Sequence, residues 1–179
     1  MAGAGMISRA NRGRSLERLL EISHAAYLRQ GRAVVQKVAT PTKVLRARSG
    51  LRVVREKSTV DFVGVIQGGR MVAFDAKQNR ETTRFPFDDR WAHEVEFLRA
   101  VHGAGGITFL VIEQVLQNRI YLLPGPRLFE LWDESQRGGR RSISLSMLET
   151  CPVVGSAPGI PVDWLTTLER EGLVDGTAD

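Results

Sequence analysis

Cysteine is nearly absent: Cys151 stands alone among 179 residues, so no disulfide can close within the chain. A reducing compartment, the cytoplasm, is therefore expected. No base stands near Cys151 in sequence, which disfavours a cysteine nucleophile. The three histidines, His24, His93 and His102, are too dispersed for an obvious zinc set. No apolar run reaches the roughly 18 residues a membrane span needs. The opening MAGAGMISRANRGR carries arginine without the long apolar segment of a secretory signal. Acid is scarce in one region: residues 1–57 hold only Glu17, Glu21 and Glu56 against 13 Lys and Arg, whereas the rest holds 12 Lys and Arg against 17 acids. This asymmetry predicts a polyanion partner, with a generally solvated basic surface as the plain alternative.

What is present suits one folded domain: 42% of residues are hydrophobic and 25% charged. Residues 1–10 read as a disordered basic terminus and 11–179 as the domain. After Ser15, a plausible N-cap, Leu16, Leu19, Leu20, Ser23, Ala26 and Tyr27 repeat at helical spacing until Gly31. Residues 33–38 read as a strand, and 43–57 as an exposed basic hairpin or arm. VDFVGVI (60–66) and MVAFDAK (71–77), joined through Gly68 and Gly69, make a β-hairpin. A helix follows through 88–103 with Trp91, Val95, Leu98 and Val101 or His102 on its apolar stripe, capped by Asp88 or Asp89. ITFLVIE (107–113) is a buried strand and RIYLL (119–123) another. Residues 124–179 form a C-terminal helical part with helices near 126–134, 144–150 and 163–171. The order predicts an α/β fold, a mixed central sheet flanked by helices.

Asp75 and Lys77 alternate onto one face of their strand. Asp75 interrupts the apolar run MVAF, and a carboxylate there is costly unless paired, solvated or metal-bound. Asp61 interrupts the partner strand in the same way. Two carboxylates and a lysine at one end of a hairpin suit phosphodiester hydrolysis: the acids hold a divalent cation and the lysine stabilises charge on the phosphate. Glu17, on the first helix, is a further candidate. Alone, the pattern is weak, and a surface Asp–Lys pair is its bland counterpart. The register also raises a difficulty. A two-residue turn at Gly68-Gly69 sets Asp75 opposite Phe62 and leaves Asp61 on the other face. A shared site requires a bulge, at Gly64 for example, or a longer turn.

Taken in order, NRGRSLERLL (11–20), VVQKVATPTKV (34–44), STVDFVGV (58–65), FDAKQN (74–79), WAHEVEFL (91–98), GITFLVI (106–112) and LFELWDESQRGGRRSI (128–143) resemble the RecU family of Holliday junction resolvases, of the restriction-endonuclease-like superfamily. The resemblance implies a homodimer that cuts two opposed strands of a four-way DNA junction symmetrically, using Mg²⁺ or Mn²⁺ and no small-molecule cofactor. It implies Asp61 and Asp75 as metal ligands, Lys77 as the lysine and Glu17 as the glutamate of the first helix. The family usually has Glu where this chain has Asp75, and often Gln where it has Glu94, just after His93. Residues 43–57 stand where the family has a longer stalk.

Candidates for contact with DNA follow from the basic segments and the matched blocks. They are Arg12 and Arg14, Lys37, Thr40 and Thr42 around Pro41, Lys43, Arg46 and Arg48 in the arm, Gln78 beside Lys77, and Arg140 and Arg141 in the later basic cluster. Phosphate contacts of this kind carry affinity without sequence information. Two other readings remain: an endonuclease of the same superfamily with no preference for branched DNA, and a branched-DNA-binding protein that does not cut.

Overall fold

The computed structural model describes residues 15–39, 42–47, 50–55 and 59–174. Arg12, Arg14, Thr40 and Arg48 lie outside these residues.

The first helix, α1 (Leu16–Arg29), begins where the Ser15 hydroxyl accepts a hydrogen bond from the Arg18 N–H at 3.3 Å. It stops at Gly31, whose φ of +68° is open to glycine at little cost. Strand β1 (Ala33–Lys37) follows, then β2 (Thr42–Ala47) and β3 (Gly50–Arg55), which pair antiparallel with each other from Thr42↔Arg55 to Ala47↔Gly50. Thr42, Lys43 and Arg46 are on the first strand of this hairpin. The main sheet continues with β4 (Phe62–Ile66), β5 (Met71–Asn79), β7 (Ile107–Gln114) and β8 (Arg119–Pro124), in the order β1-β4-β5-β7-β8. Among the described residues only β5 and β7 run parallel, and the crossover between them carries the short β6 (Arg84–Pro86) and the helix α2 (Ala92–Gly103). Helix α3 (Gly125–Gln136) follows β8. The sheet is thus mixed and flanked by helices, as the sequence predicts.

The two faces bury different cores. On one, Phe62, Phe74, Phe109, Val111 and Leu122 meet the apolar side of α1 and Trp164 of the last helix, α5 (Trp164–Arg170). On the other, Ala73, Leu110, Ile112, Tyr121 and Leu123 meet Val95 and Leu98 of α2 and Leu128 and Trp132 of α3. All eight residues of β7 are buried, which explains the apolar run over 107–112, interrupted only by Thr108.

The C-terminal part is not purely helical. Alongside α3, the one-turn α4 (Leu145–Leu148) and α5, it holds β9 (Ser142–Ser144), paired with β6, and the hairpin β10 (Gly155–Ala157) with β11 (Ile160–Asp163). Strands of three or four residues are too short to show a period of two. The β11–α5 corner fastens α1. The Tyr27 hydroxyl donates to Asp163 Oδ1 at 2.8 Å, and the Ser23 hydroxyl accepts from the Val162 N–H at 3.0 Å. Trp164 Nε1–H donates to His24 Nε2 at 3.2 Å.

His24 is therefore neutral, and burial pushes its pKa down to about 3. The unfolded chain takes up this proton near pH 6.5, before the folded one does. Stability from His24 is thus complete above pH 6.5 and falls as the pH drops toward 3, by up to about 5 kcal/mol. Urea midpoints measured from pH 7 to 4.5 are expected to decline more steeply in the wild type than in His24→Leu. Equal slopes would show that this imidazole does not set acid sensitivity.

Gly64 has a packing role. A Cβ there would lie 2.2 Å from the Val34 carbonyl oxygen and 2.7 Å from Val35 Cα, both backbone atoms of β1. Gly64→Ala is expected to push β1 away and cost about 1–3 kcal/mol, read from the urea midpoint.

Candidate active site

The register difficulty is resolved in the turn. Gly64 pairs regularly with Val35 and Val72, so no bulge forms there. Instead Gln67, Gly68 and Gly69 make a three-residue connection. Ile66 N–H donates to the Arg70 carbonyl and Gly69 N–H to the Ile66 carbonyl, each at 3.0 Å. Gly68 and Gly69 take φ of +89° and +83°, which glycine adopts without a Cβ clash. The ladder then runs from Val65↔Met71 to Phe62↔Phe74, and its next step faces Asp61 with Asp75. Asp75 Oδ1 accepts from the Asp61 N–H at 3.1 Å, and Asp61 Oδ2 accepts from the Ala76 N–H at 2.9 Å. Each aspartate is anchored by backbone beside the other.

Asp75 is 1% exposed, and its Oδ2 accepts no aligned hydrogen bond. That oxygen instead meets the Lys77 ammonium as an ion pair. The same ammonium donates to Glu94 Oε2 at 2.6 Å and lies 4.7 Å from the centroid of the Trp91 ring. Burial, helped by its hydrogen bond to Asp75 and by that neighbour's charge, pushes Asp61 up to about 7. Burial raises Asp75 too, Glu94 adding to the shift while Lys77 opposes it. For Lys77, burial works to lower the pKa, but Asp75 and Glu94 outweigh it and hold the ammonium above its ordinary value. Neighbouring carboxylates driven upward, with a lysine held charged beside them, are the electrostatics of a site short of positive charge.

The other sequence candidates are placed around this centre. Glu17 lies against Lys37, with its Oε2 2.5 Å from the ammonium, and Lys37 also reaches Glu21 at 3.8 Å. The hydrogen bond to Glu17 raises Lys37 above its ordinary pKa, against a smaller effect of burial, and the charge of Asp61 adds a little. Glu17 is thus held in an ion pair with Lys37, at the start of α1. Gln78 alternates away from Lys77 and donates to Glu113 Oε2 at 2.5 Å. Arg141 pairs with Asp89, and Arg140 is exposed. Three contacts escaped the sequence reading, which named Trp91 as a stripe residue and Glu94 as a departure from the family's Gln. Glu94 and Trp91 reach Lys77 from the crossover, and Glu113 reaches Gln78 from β7. Their contacts run between separate elements, so helical spacing within α2 gave no signal of them. Burial pushes the Cys151 thiol up, which does not favour a nucleophile.

Among the described residues no group of three or more His, Cys, Asp or Glu is arranged to hold a metal, and no helix is long and apolar enough to cross a membrane. The Asp61–Asp75 pair nevertheless fits a divalent cation in its chemistry. It offers hard oxygens, one of them buried and without a hydrogen bond, and small cations are commonly held by one or two carboxylates together with water and substrate phosphate.

A mixed sheet between helices, with this hairpin at its centre, defines an α/β protein with paired carboxylates and a lysine at one end of the hairpin. The profile of the family described as Recombination protein U matches residues 11–170. The chain belongs to the RecU family. It is 37% identical over 146 residues to a Holliday junction resolvase RecU of Pediococcus pentosaceus, covering 77% of this chain and 72% of that one. It is 33% identical over 168 residues to the Levilactobacillus brevis protein of the same name, covering 89% and 83%. Among solved structures, Hjc, a Holliday junction resolvase of Archaeoglobus fulgidus, aligns at 17% identity with a TM-score of 0.37, covering 63% of this chain and 75% of that one.

Proposed function

We propose that this protein is a metal-dependent endodeoxyribonuclease that resolves four-way DNA junctions by paired, symmetric nicks during recombination and repair in the cytoplasm. The observation that carries the reading is the pairing of Asp61 with Asp75 beneath Lys77, in a chain of the RecU family. Asp61 and Asp75 are the residues that would hold Mg²⁺ or Mn²⁺. When bound, such an ion supplies charge neutralisation at the phosphate and a more acidic water. Lys77 presents a proton-bearing ammonium to the phosphate oxygens where charge develops. Hydrolysis adds water across one P–O bond, and the departing sugar oxygen leaves with a proton.

The first third of the chain supplies the cationic surface that attracts DNA. Lys43 and Arg46, on the β2–β3 hairpin, are assigned to the junction branches, as are Arg12, Arg14 and Arg48. Cutting opposed strands calls for two copies of the site related by a two-fold axis, hence a homodimer.

The test is cleavage of a synthetic four-way junction and of matched linear duplex, with Mg²⁺, Mn²⁺ or EDTA. Paired metal-dependent nicks confined to the junction are expected. Equal cutting of both substrates would leave a nuclease without branch selectivity. Tight junction binding with no cleavage in any metal would leave a binding protein.

A further inference from the structure

Lys77 is held on three sides by groups of different kinds. The Asp75 carboxylate and the Glu94 carboxylate each contact its ammonium, and the Trp91 ring lies at cation–π distance. The lysine side chain is 16% exposed and that of Glu94 19%. Trp91 is itself fixed, stacked on Phe85 at 5.4 Å and set edge-on to Phe87 at 6.5 Å. Glu94 is in the first turn of α2, where the helix dipole favours a carboxylate. The contact with Asp75 occupies its Oδ2, a buried oxygen that accepts no aligned hydrogen bond.

We infer that the Lys77 ammonium stands in for the divalent cation in the metal-free protein, and that Glu94 and Trp91 are positioning residues that retain Lys77 at the site once a cation claims Asp75. This rests on the reading of Asp61 and Asp75 as the cation's ligands. A buried carboxylate pair without a counter-charge would be strongly unfavourable, and Lys77 supplies that charge. A cation held by Asp75 would compete with the ammonium for the charge of that carboxylate. With Glu94 as a second carboxylate and the Trp91 face beneath, the ammonium need only shift its balance from one partner to the other. Without Glu94, it would have to be expelled into solvent or remain in opposition to the cation. Gln at this position accepts a hydrogen bond from the ammonium but offers no charge, so the carboxylate makes retention firmer here than an amide would.

Two readouts test this without DNA cleavage. Mn²⁺ binding, counted by electron paramagnetic resonance, is expected to be lost in Asp61→Asn, to weaken about tenfold in Glu94→Ala, and to recover in part in Glu94→Gln. In a Lys77→Met background the competitor is gone, so Mn²⁺ should bind more tightly than to the wild type. The further change Glu94→Ala should then have no effect on affinity. Mg²⁺ added to the DNA-free protein should also change tryptophan emission saturably, and Trp91→Phe should abolish that change although Trp132 and Trp164 remain.

Persistence of the Glu94→Ala loss in the Lys77→Met background would make Glu94 a direct ligand and overturn the clamp. So would manganese binding at Asp61 and Asp75 with no Trp91 signal, while the cation site itself would stand. Absence of any bound manganese would overturn both readings.

Discussion

Asp75→Asn is expected to bind a four-way junction as tightly as the wild type and to nick it at least about 10³-fold more slowly, the scale of several kcal/mol of lost transition-state stabilisation. The amide keeps the volume and the oxygen that accepts from the Asp61 N–H, so the backbone pairing is kept, while its NH2 group, facing the Lys77 ammonium, turns that ammonium toward Glu94. What disappears is the charge. Lys77→Ala removes the cationic partner and should cost about 10²–10³-fold. Single-turnover cleavage in Mg²⁺, beside junction binding in Ca²⁺, separates the two effects. Cleavage by Asp75→Asn within tenfold of the wild type would remove this carboxylate from the reaction.

Asp61→Asn should move fold and function in opposite directions. In the metal-free protein Asp61 is pushed up to about 7 by burial and by Asp75, so its ionised form strains the folded state. The strain is absent at low pH and grows as the pH rises from about 4 through 7. The asparagine oxygen can still accept from the Ala76 N–H. After allowance for solvent screening at this partly open position, the substitution should stabilise the metal-free protein by about 1–2 kcal/mol at pH 8. It should also abolish metal-dependent cleavage. Melting with and without EDTA checks the sign. A variant less stable than the metal-free wild type would mean that the aspartate pair is held together by something other than tolerance of its own repulsion. A residue kept at a cost to the fold is characteristic of an active site.

Much of this arrangement was legible in the sequence because the larger elements carry their own periods. Leu16, Leu19, Leu20 and Tyr27 declare α1, and the apolar run from Ile107 declares the central strand β7. The pairing of Asp61 with Asp75 was legible only as a requirement. Side-chain identity gives the face of a strand relative to its own neighbours, but the register between strands lies in one residue of turn geometry at Gln67–Gly69. Glu94 was invisible as a partner of Lys77 because the crossover that brings it back has no local signature. His24 likewise gave no sign of burial, since its hydrogen-bond partner lies 140 residues away. The pairs β6–β9 and β10–β11 are made of strands too short to announce themselves.

The bond from Tyr27 to Asp163 joins residues 136 apart. A ribosome adding roughly 5–20 residues per second completes that separation on the order of ten seconds after Tyr27 has been made. Within that interval α1 can set its apolar stripe on Phe62, Phe74, Phe109 and Leu122 of the sheet, but Ser23, His24 and Tyr27 lack their late hydrogen-bond partners. The first helix is thus among the first parts to be synthesised and among the last to gain all its fastenings. A nascent chain halted before Trp164 would already carry Asp61, Asp75, Lys77 and Glu94, yet lack the corner that fastens α1. For this fold, the fastening of α1 waits on the arrival of the β11–α5 corner.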